Sequence, residues 1–276
     1  MVTISAFADE VSQDLTEQLD VLESEGVKHI ELRGVWDTPV LKMSDEQMAK
    51  MKEQMDQRGF KLSAVGSPIG KFRIDEDFDQ QKSQFAQAIK VGKFFGIRNI
   101  RVFSYYAPEG DTTEKWRDQI MGRMRAFVDM AEEADMLMLH ENEGGIYGES
   151  PQNCVDLIET MNSEHFKAIF DPANFVVAKH DPAKECYPLL KKHIRYFHIK
   201  DARASDRKVT PAGEGDGGLL EVLEDQLVYE GFKGFLSLEP HLKHAGKSGG
   251  FTGPDAFKVA AQALKKILDQ IGAPYQ

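Results

Sequence analysis

Cysteine is almost missing from this 276-residue chain: Cys154 and Cys186 stand far apart and form no CxxC pair. A disulfide framework or a thiolate metal cluster needs more thiols or closer spacing, so both read as ordinary reduced residues of a cytoplasmic protein. Long apolar runs are missing too, which argues against a membrane span. The opening MVTISAFADE has neither a basic n-region nor an apolar h-region, so no signal peptide is expected. Positive charge is in deficit: 34 Lys and Arg face 45 Asp and Glu, a net charge of −11. A nucleic-acid binder needs a basic face to replace condensed counterions, so no nucleic-acid partner is expected.

Several motifs are also absent. The first turn, AFADEV, lacks the glycines of a dinucleotide fingerprint. No GxxxxGK[ST] loop occurs, and in PAGEGDGG the side chains of Glu214 and Asp216 would oppose an anion. There is no GxSxG elbow, no HExxH helix, no internal repeat, no low-complexity tract and no Pro/Ser-rich linker.

What the chain does have is alternation. Strand-like runs at 2–7, 27–33, 60–67, 97–104, 136–142, 166–171, 194–200 and 234–239 are separated by helical segments. The segment 14–26 places Leu15, Leu19 and Leu22 on one face and stops at Gly26. The segment 44–59 opens on a Ser cap and closes on Gly59, and Ser150-Pro151 opens another helix. Further helices are expected over 77–95, 112–134, 181–192, 219–231 and from Gly253-Pro254 to about 271. Strands separated by helices pair in parallel, and eight such units close into a (β/α)8 TIM barrel, here one domain over 1–276. A doubly wound open sheet is the alternative.

Chemistry in such a barrel sits at the C-terminal ends of the strands. Strands five to eight end in LMLHEN, AIFDPAN, YFHIKD and FLSLEPH, which offer Glu141, Asp171, His198 and Glu239. Any one of these reads equally well as a polar group facing water. Four at consecutive strand ends point to a shared divalent metal, and three carboxylates with one imidazole suit Mn²⁺ first, with Mg²⁺, Co²⁺ or Zn²⁺ as alternatives. An ion chelating two adjacent sugar oxygens polarises a carbonyl, and Glu141 and Glu239 can then move the proton. His198 must ligate as a neutral imidazole, its second nitrogen held by a partner the sequence does not identify.

Other candidates are single residues. Asn174 reads as a contact to a substrate hydroxyl or as a helix cap. Lys200 and Arg203 read as substrate contacts or solvated charges. His241 reads as a neighbour of the site or an exposed residue. Glu143 and Tyr147, in ENEGGIYGE, are placed along the pocket, and Trp36 as a wall for a sugar ring or as core. The loop 67–77 carries Lys71 and Arg73 over strand three. The glycine-rich loop 202–218 reads as a lid or partner contact.

These segments together, with SAFADEVSQDLTEQLDVLESEGVKHIELRG, SPIGK, HENEGGIYGE, FDPANF, HIKDA, PAGEGDGG and LSLEPH, give a chain that resembles the sugar phosphate isomerase/epimerase superfamily, the xylose isomerase-like barrels, over nearly its whole length. The resemblance implies that Glu141, Asp171, His198 and Glu239 bind one divalent ion and that the two glutamates exchange the substrate proton. It implies a small sugar or sugar phosphate as substrate, and a homo-oligomer. Within HENE it favours Glu141 over Glu143. Ketose 3-epimerases of the group commonly carry histidine where Asn174 stands, and HIKDAR replaces their arginine-bearing loop. The sugar and the reaction therefore stay open between isomerase, epimerase and an inosose dehydratase-like lyase. An endonuclease IV-like enzyme is disfavoured, because strands two and three end in Arg33 and Ser67 instead of histidine.

Overall fold

The computed structural model describes residues 1–246 and 249–276. Eight parallel strands close into a barrel: β1 Thr3–Ala6, β2 His29–Leu32, β3 Lys61–Val65, β4 Asn99–Val102, β5 Leu137–Glu141, β6 Phe166–Phe170, β7 Ile194–Ile199 and β8 Phe235–Leu238. β1 pairs with both β2 and β8, which closes the ring. No helix among the described residues is long and apolar enough to cross a membrane.

Local chemistry explains where the outer helices begin and end. α1 (Leu15–Ser24) starts at Asp14, whose carboxylate accepts from the Glu17 amide. α2 (Asp45–Gln57) has a complete capping box between Ser44 and Gln47. α3 (Phe78–Phe95) stops at Gly96 in the left-handed conformation. α4 (Arg117–Ala134) follows a 3-10 turn at Thr113–Trp116, so the helix expected from 112 tightens in its first turn. α5 (Pro151–Met161) has the expected Ser150 cap and leading proline.

The last third is more broken than its periodicity suggests. A six-residue helix, α6 (Pro172–Val177), directly follows Asp171. The segment 181–192 divides into a π turn at Pro182–Cys186 and α7 (Tyr187–Leu190). α8 (Leu219–Glu224) likewise passes into a π turn at Asp225–Tyr229. The final helix, α9 (Pro254–Gln270), buries Phe257, Ala260, Ala261, Leu264, Ile267 and Leu268, one face at helical spacing.

The main core lies between barrel and helices, and a smaller cluster of Ala64, Leu139, Ile169 and Tyr196 forms apart from it. Side chains alternate along strands, so Glu141 shares the face of Leu139, Asp171 that of Ile169 and His198 that of Tyr196. The apolar cluster is therefore the floor beneath those three polar residues.

The loop 202–218 is strapped to the barrel, not free as a lid would be. The Asp201 carboxylate accepts backbone N–H bonds from Ala202, Gly213, Gly215 and Gly217 at 2.8, 2.9, 3.0 and 2.9 Å. The glycines are needed for this approach, since a Cβ on Gly215 or Gly217 would lie 2.4 or 2.7 Å from Asp201 Oδ1. Asp201→Ala leaves four amides without their acceptor. The expected loss is about 3 kcal/mol, a fall in Tm of roughly 6–10 °C by calorimetry, with faster proteolysis inside 202–218. An unchanged Tm would show that the strap contributes nothing.

Candidate metal centre and cavity

Glu141 is the last residue of β5, His198 the penultimate residue of β7, and Asp171 and Glu239 the first residues beyond β6 and β8. One ligand-type atom from each lies within 4.8 Å of all the others. All four residues are buried, with Glu239 the most exposed at 3%.

His198 sits at the centre. Its Nδ1 is 3.2 Å from Glu141 Oε1, 3.5 Å from Glu239 Oε2 and 3.9 Å from Asp171 Oδ2. Its Nε2 lies 3.2–3.3 Å from both carboxylate oxygens of Glu31, the partner the sequence did not name. A carboxylate on the far nitrogen fixes the ring and makes the near nitrogen a better ligand. His198 Nδ1 and Asp171 Oδ2 are buried, and their polar contacts here are ion pairs, to Glu141 Oε1 at 3.2 Å and to the Lys200 ammonium at 2.8 Å. Three carboxylate oxygens and one imidazole nitrogen within 4.8 Å of one another are a donor set that fits a divalent ion.

The other oxygens are held in place. Asp171 Oδ1 caps α6 by accepting from the Asn174 amide at 2.9 Å. The cap is therefore Asp171, while Asn174 Nδ2 donates to Glu141 Oε1 at 3.2 Å and to the Asn142 carbonyl at 2.9 Å. Asn142 closes the gap between β5 and β6 by pairing its side chain with the backbone N–H and C=O of Asp171.

Three permanent cations surround this group. Arg101 Nη1 donates to Glu141 Oε2 at 3.1 Å and lies 3.6 Å from Glu239 Oε1. Arg33 Nη1 reaches Glu239 Oε1 at 3.2 Å, while its Nε donates to Asp9 at 2.7 Å. Lys200 Nζ bridges Asp171 Oδ2 at 2.8 Å and Glu239 Oε2 at 3.0 Å. The two guanidiniums each lie 4.8 Å from the centroid of Phe7, which spaces them apart.

Charge decides the protonation states. Burial alone would raise Glu239, but Lys200, His241 and His198 hold it well below the usual carboxylate range. Burial also opposes the ionised Glu141, yet His198 and Arg101 hold it at about 2. Asp171 is pushed up to about 6 by burial and by Glu141 and Glu239, against the pull of Lys200. For His198, burial favours the neutral ring, but Glu141 and Glu31 push its pKa up to about 10. The point at which these groups face one another draws positive charge.

A cavity of about 640 Å³ opens above the group. Arg33, Lys71, Arg101, Glu143, Lys200, Glu239 and His241 line it, with Pro39, Val40, Pro68, Tyr106 and Ala107 as the less polar wall. Lys71 and Glu143 join across the mouth at 2.7 Å, which places Glu143 at the rim and Glu141 beneath it. Tyr147 is turned to Asp156.

Two candidates lie elsewhere. Trp36 and Asp37 take positive φ in a tight turn between Gly34–Val35 and Thr38–Pro39. That turn packs the indole against the core beneath Lys50, and Pro39 and Val40 face the cavity instead. Arg203 leaves the short antiparallel pair of Asp201–Ala202 with Val209–Thr210 pointing outward and salt-bridges Asp206. Glu31, Arg33 and Arg101 were missed, although a charged residue inside HIEL or NIRV is a visible break in an apolar strand.

The model of the xylose isomerase-like TIM barrel family matches residues 19–267. Among solved structures, the chain is similar to a D-tagatose 3-epimerase-like protein at 20% identity, over 99% of this chain and 98% of that one, with TM-score 0.77. It is similar to a probable 3-DHS dehydratase from Bacillus anthracis at 15% identity, covering 96% and 98%, with TM-score 0.74. It is also similar to a xylose isomerase-like TIM barrel protein from Mycobacterium smegmatis in complex with magnesium, at 16% identity, covering 98% and 96%, with TM-score 0.72. No curated protein sequence matches it significantly.

Glu31→Gln removes the charge behind His198 without changing its size. The expected result is a loss of Mn²⁺ affinity of about 10–100-fold, read by titration calorimetry. Unchanged affinity would remove Glu31 from this role.

Proposed function

The chain belongs to the xylose isomerase-like TIM barrel family, and we propose that it is a divalent-metal-dependent sugar or sugar phosphate isomerase/epimerase, working as one barrel domain. In this reading it removes a proton next to a carbonyl and proceeds through an enediolate. The observation that carries the proposal is the convergence of the four buried residues Glu141, Asp171, His198 and Glu239, with one ligand-type atom of each within 4.8 Å of the others.

These four residues would hold the ion, which when bound supplies Lewis-acid polarisation of two adjacent substrate oxygens. Glu239 lines the cavity and is held ionised, so it is the base that meets the substrate carbon. Lys200 stands on the same wall and offers N–H donors to a substrate oxygen. Arg101 and Asn174 hold the Glu141 carboxylate from two sides. In an epimerase Glu141 would return the proton to the opposite face.

One observation favours a second reading. Of the two glutamates, Glu239 lines the cavity and Glu141 is not part of its wall. One base at the surface suffices for a lyase, in which the same proton removal is followed by loss of a β-hydroxyl from a keto-polyol. The likeness to the probable dehydratase is consistent with that course.

The deciding experiment is incubation in D₂O with Mn²⁺ and a panel of ketoses, ketose phosphates, hydroxypyruvate and keto-inositols, followed by NMR. Deuterium is expected at a carbon next to a carbonyl, and the product separates isomerase, epimerase and lyase. EDTA is expected to stop the exchange, and Mn²⁺ or Mg²⁺ to restore it. Exchange that continues without metal would reject the metal-dependent mechanism. Glu239→Gln is expected to lower turnover about 10³-fold with the circular dichroism spectrum unchanged. Full activity in that variant would reject Glu239 as the base.

A further inference from the structure

A second constellation shares Glu239. Glu10, Glu239 and His241 also bring one ligand-type atom each within 4.8 Å of one another. Glu10 is fully buried and His241 is 8% exposed. Glu10 Oε1 and His241 Nε2 lie 3.0 Å apart as an ion pair, without the alignment of a good hydrogen bond. Glu239 Oε1 is 3.4 Å from the same His241 nitrogen.

The three groups are held in advance. Glu10 ends the 3-10 turn Ala8–Glu10 after β1, and its Oε2 accepts from the His241 amide at 2.9 Å and the Thr252 hydroxyl at 2.5 Å. Its backbone carbonyl accepts from the Thr252 and Gly253 amides at 3.0 and 2.8 Å, which straps the segment after β8 onto the end of β1. His241 takes φ of 49°, and its ring lies so close to Gly250 that a Cβ there would stand 1.8 Å from it. A left-handed histidine is a strained arrangement, and here the strain fixes the ring beside Glu10 and Glu239.

The distances have a simple meaning. Ligands about 2.1 Å from an ion lie roughly 3.0 Å apart at an octahedral right angle and roughly 3.4 Å apart at a tetrahedral one. The two separations at His241, 3.0 and 3.4 Å, fall at those values. Glu239 divides its oxygens between the two groups: Oε2 faces His198 at 3.5 Å and Oε1 faces His241 at 3.4 Å.

We propose that Glu10, Glu239 and His241 form a second divalent-cation site, with Glu239 as the carboxylate bridging it to the first. The mixed oxygen–imidazole set takes Mn²⁺, Co²⁺ or Zn²⁺. Glu239 and His241 both line the cavity, so the open positions of this ion face the substrate. Bridged ion pairs clamp two oxygens of one substrate. Arg33 stands 3.9 Å from Glu10 Oε1 and 3.2 Å from Glu239 Oε1, and Asp9 offsets its charge only in part. The second ion therefore binds more weakly than the first.

The inference rests on the first site of the proposed function, and metal counting separates the two. Protein stripped with EDTA is titrated with Mn²⁺ and followed by elemental analysis and electron paramagnetic resonance. Two ions per chain are expected, the second weaker, with the spectrum of an exchange-coupled pair. Glu10→Gln and His241→Ala should each reduce the count to one and abolish the coupling. His241→Ala covers the case in which Glu10→Gln fails to fold. One ion per chain, unchanged by either variant, overturns the second site and leaves the first intact. No bound ion overturns both.

Discussion

The top of this barrel gathers more negative charge than water-poor surroundings tolerate, and the rest of the site follows from how that charge is balanced. Glu10, Glu31, Glu141, Asp171 and Glu239 are all buried. An ionised carboxylate without a partner in such a place is costly enough to lose its charge. Arg33, Arg101 and Lys200 supply permanent positive charge within 2.8–3.6 Å of these groups. They do not complete the balance, which is why His198 is driven toward its charged form. A chain that keeps so many buried carboxylates together is organised around cations.

Glu239 is the hinge of this arrangement. It touches Arg33, Lys200, His198 and His241, and it stands at the edge of the cavity. Glu141 is enclosed by Arg101, Asn174 and His198. Two residues of the same chemical type thus occupy unlike surroundings, one open to a substrate and one closed in. Such separation is how a protein assigns different tasks to similar carboxylates.

The fold was legible because its signals are local and repeated. Caps, terminal glycines and apolar runs marked eight strand–helix units, and the four metal-type residues stood out because each ended a strand. Glu31 and Arg101 were hidden because they sit within strands, where only the two-residue alternation reveals an inward charge. Their partners, His198 and Glu141, lie 167 and 40 positions away in sequence. Trp36 and Arg203 fall to the core and surface-charge alternatives of their sequence reading, because left-handed turns and short antiparallel pairs redirect side chains in ways that composition does not express. The glycine-rich loop looked free for the opposite reason: its glycines mark a close approach to Asp201 rather than freedom of movement.

The walls of the cavity divide unevenly around the ring. Pro39, Val40, Pro68, Lys71, Tyr106 and Ala107 follow β2, β3 and β4, whereas Glu141, Asp171, His198 and Glu239 stand at the ends of β5 to β8. One half of the barrel mouth therefore carries the buried four-residue group, and the other half supplies most of the cavity's less polar wall. Substitutions at Pro39, Val40, Pro68 and Ala107 can reshape the cavity without removing a partner of the buried carboxylates, which Arg33 and Arg101 hold from the same half. In an architecture divided in this way, the outline of the cavity and the charge at its base can change separately.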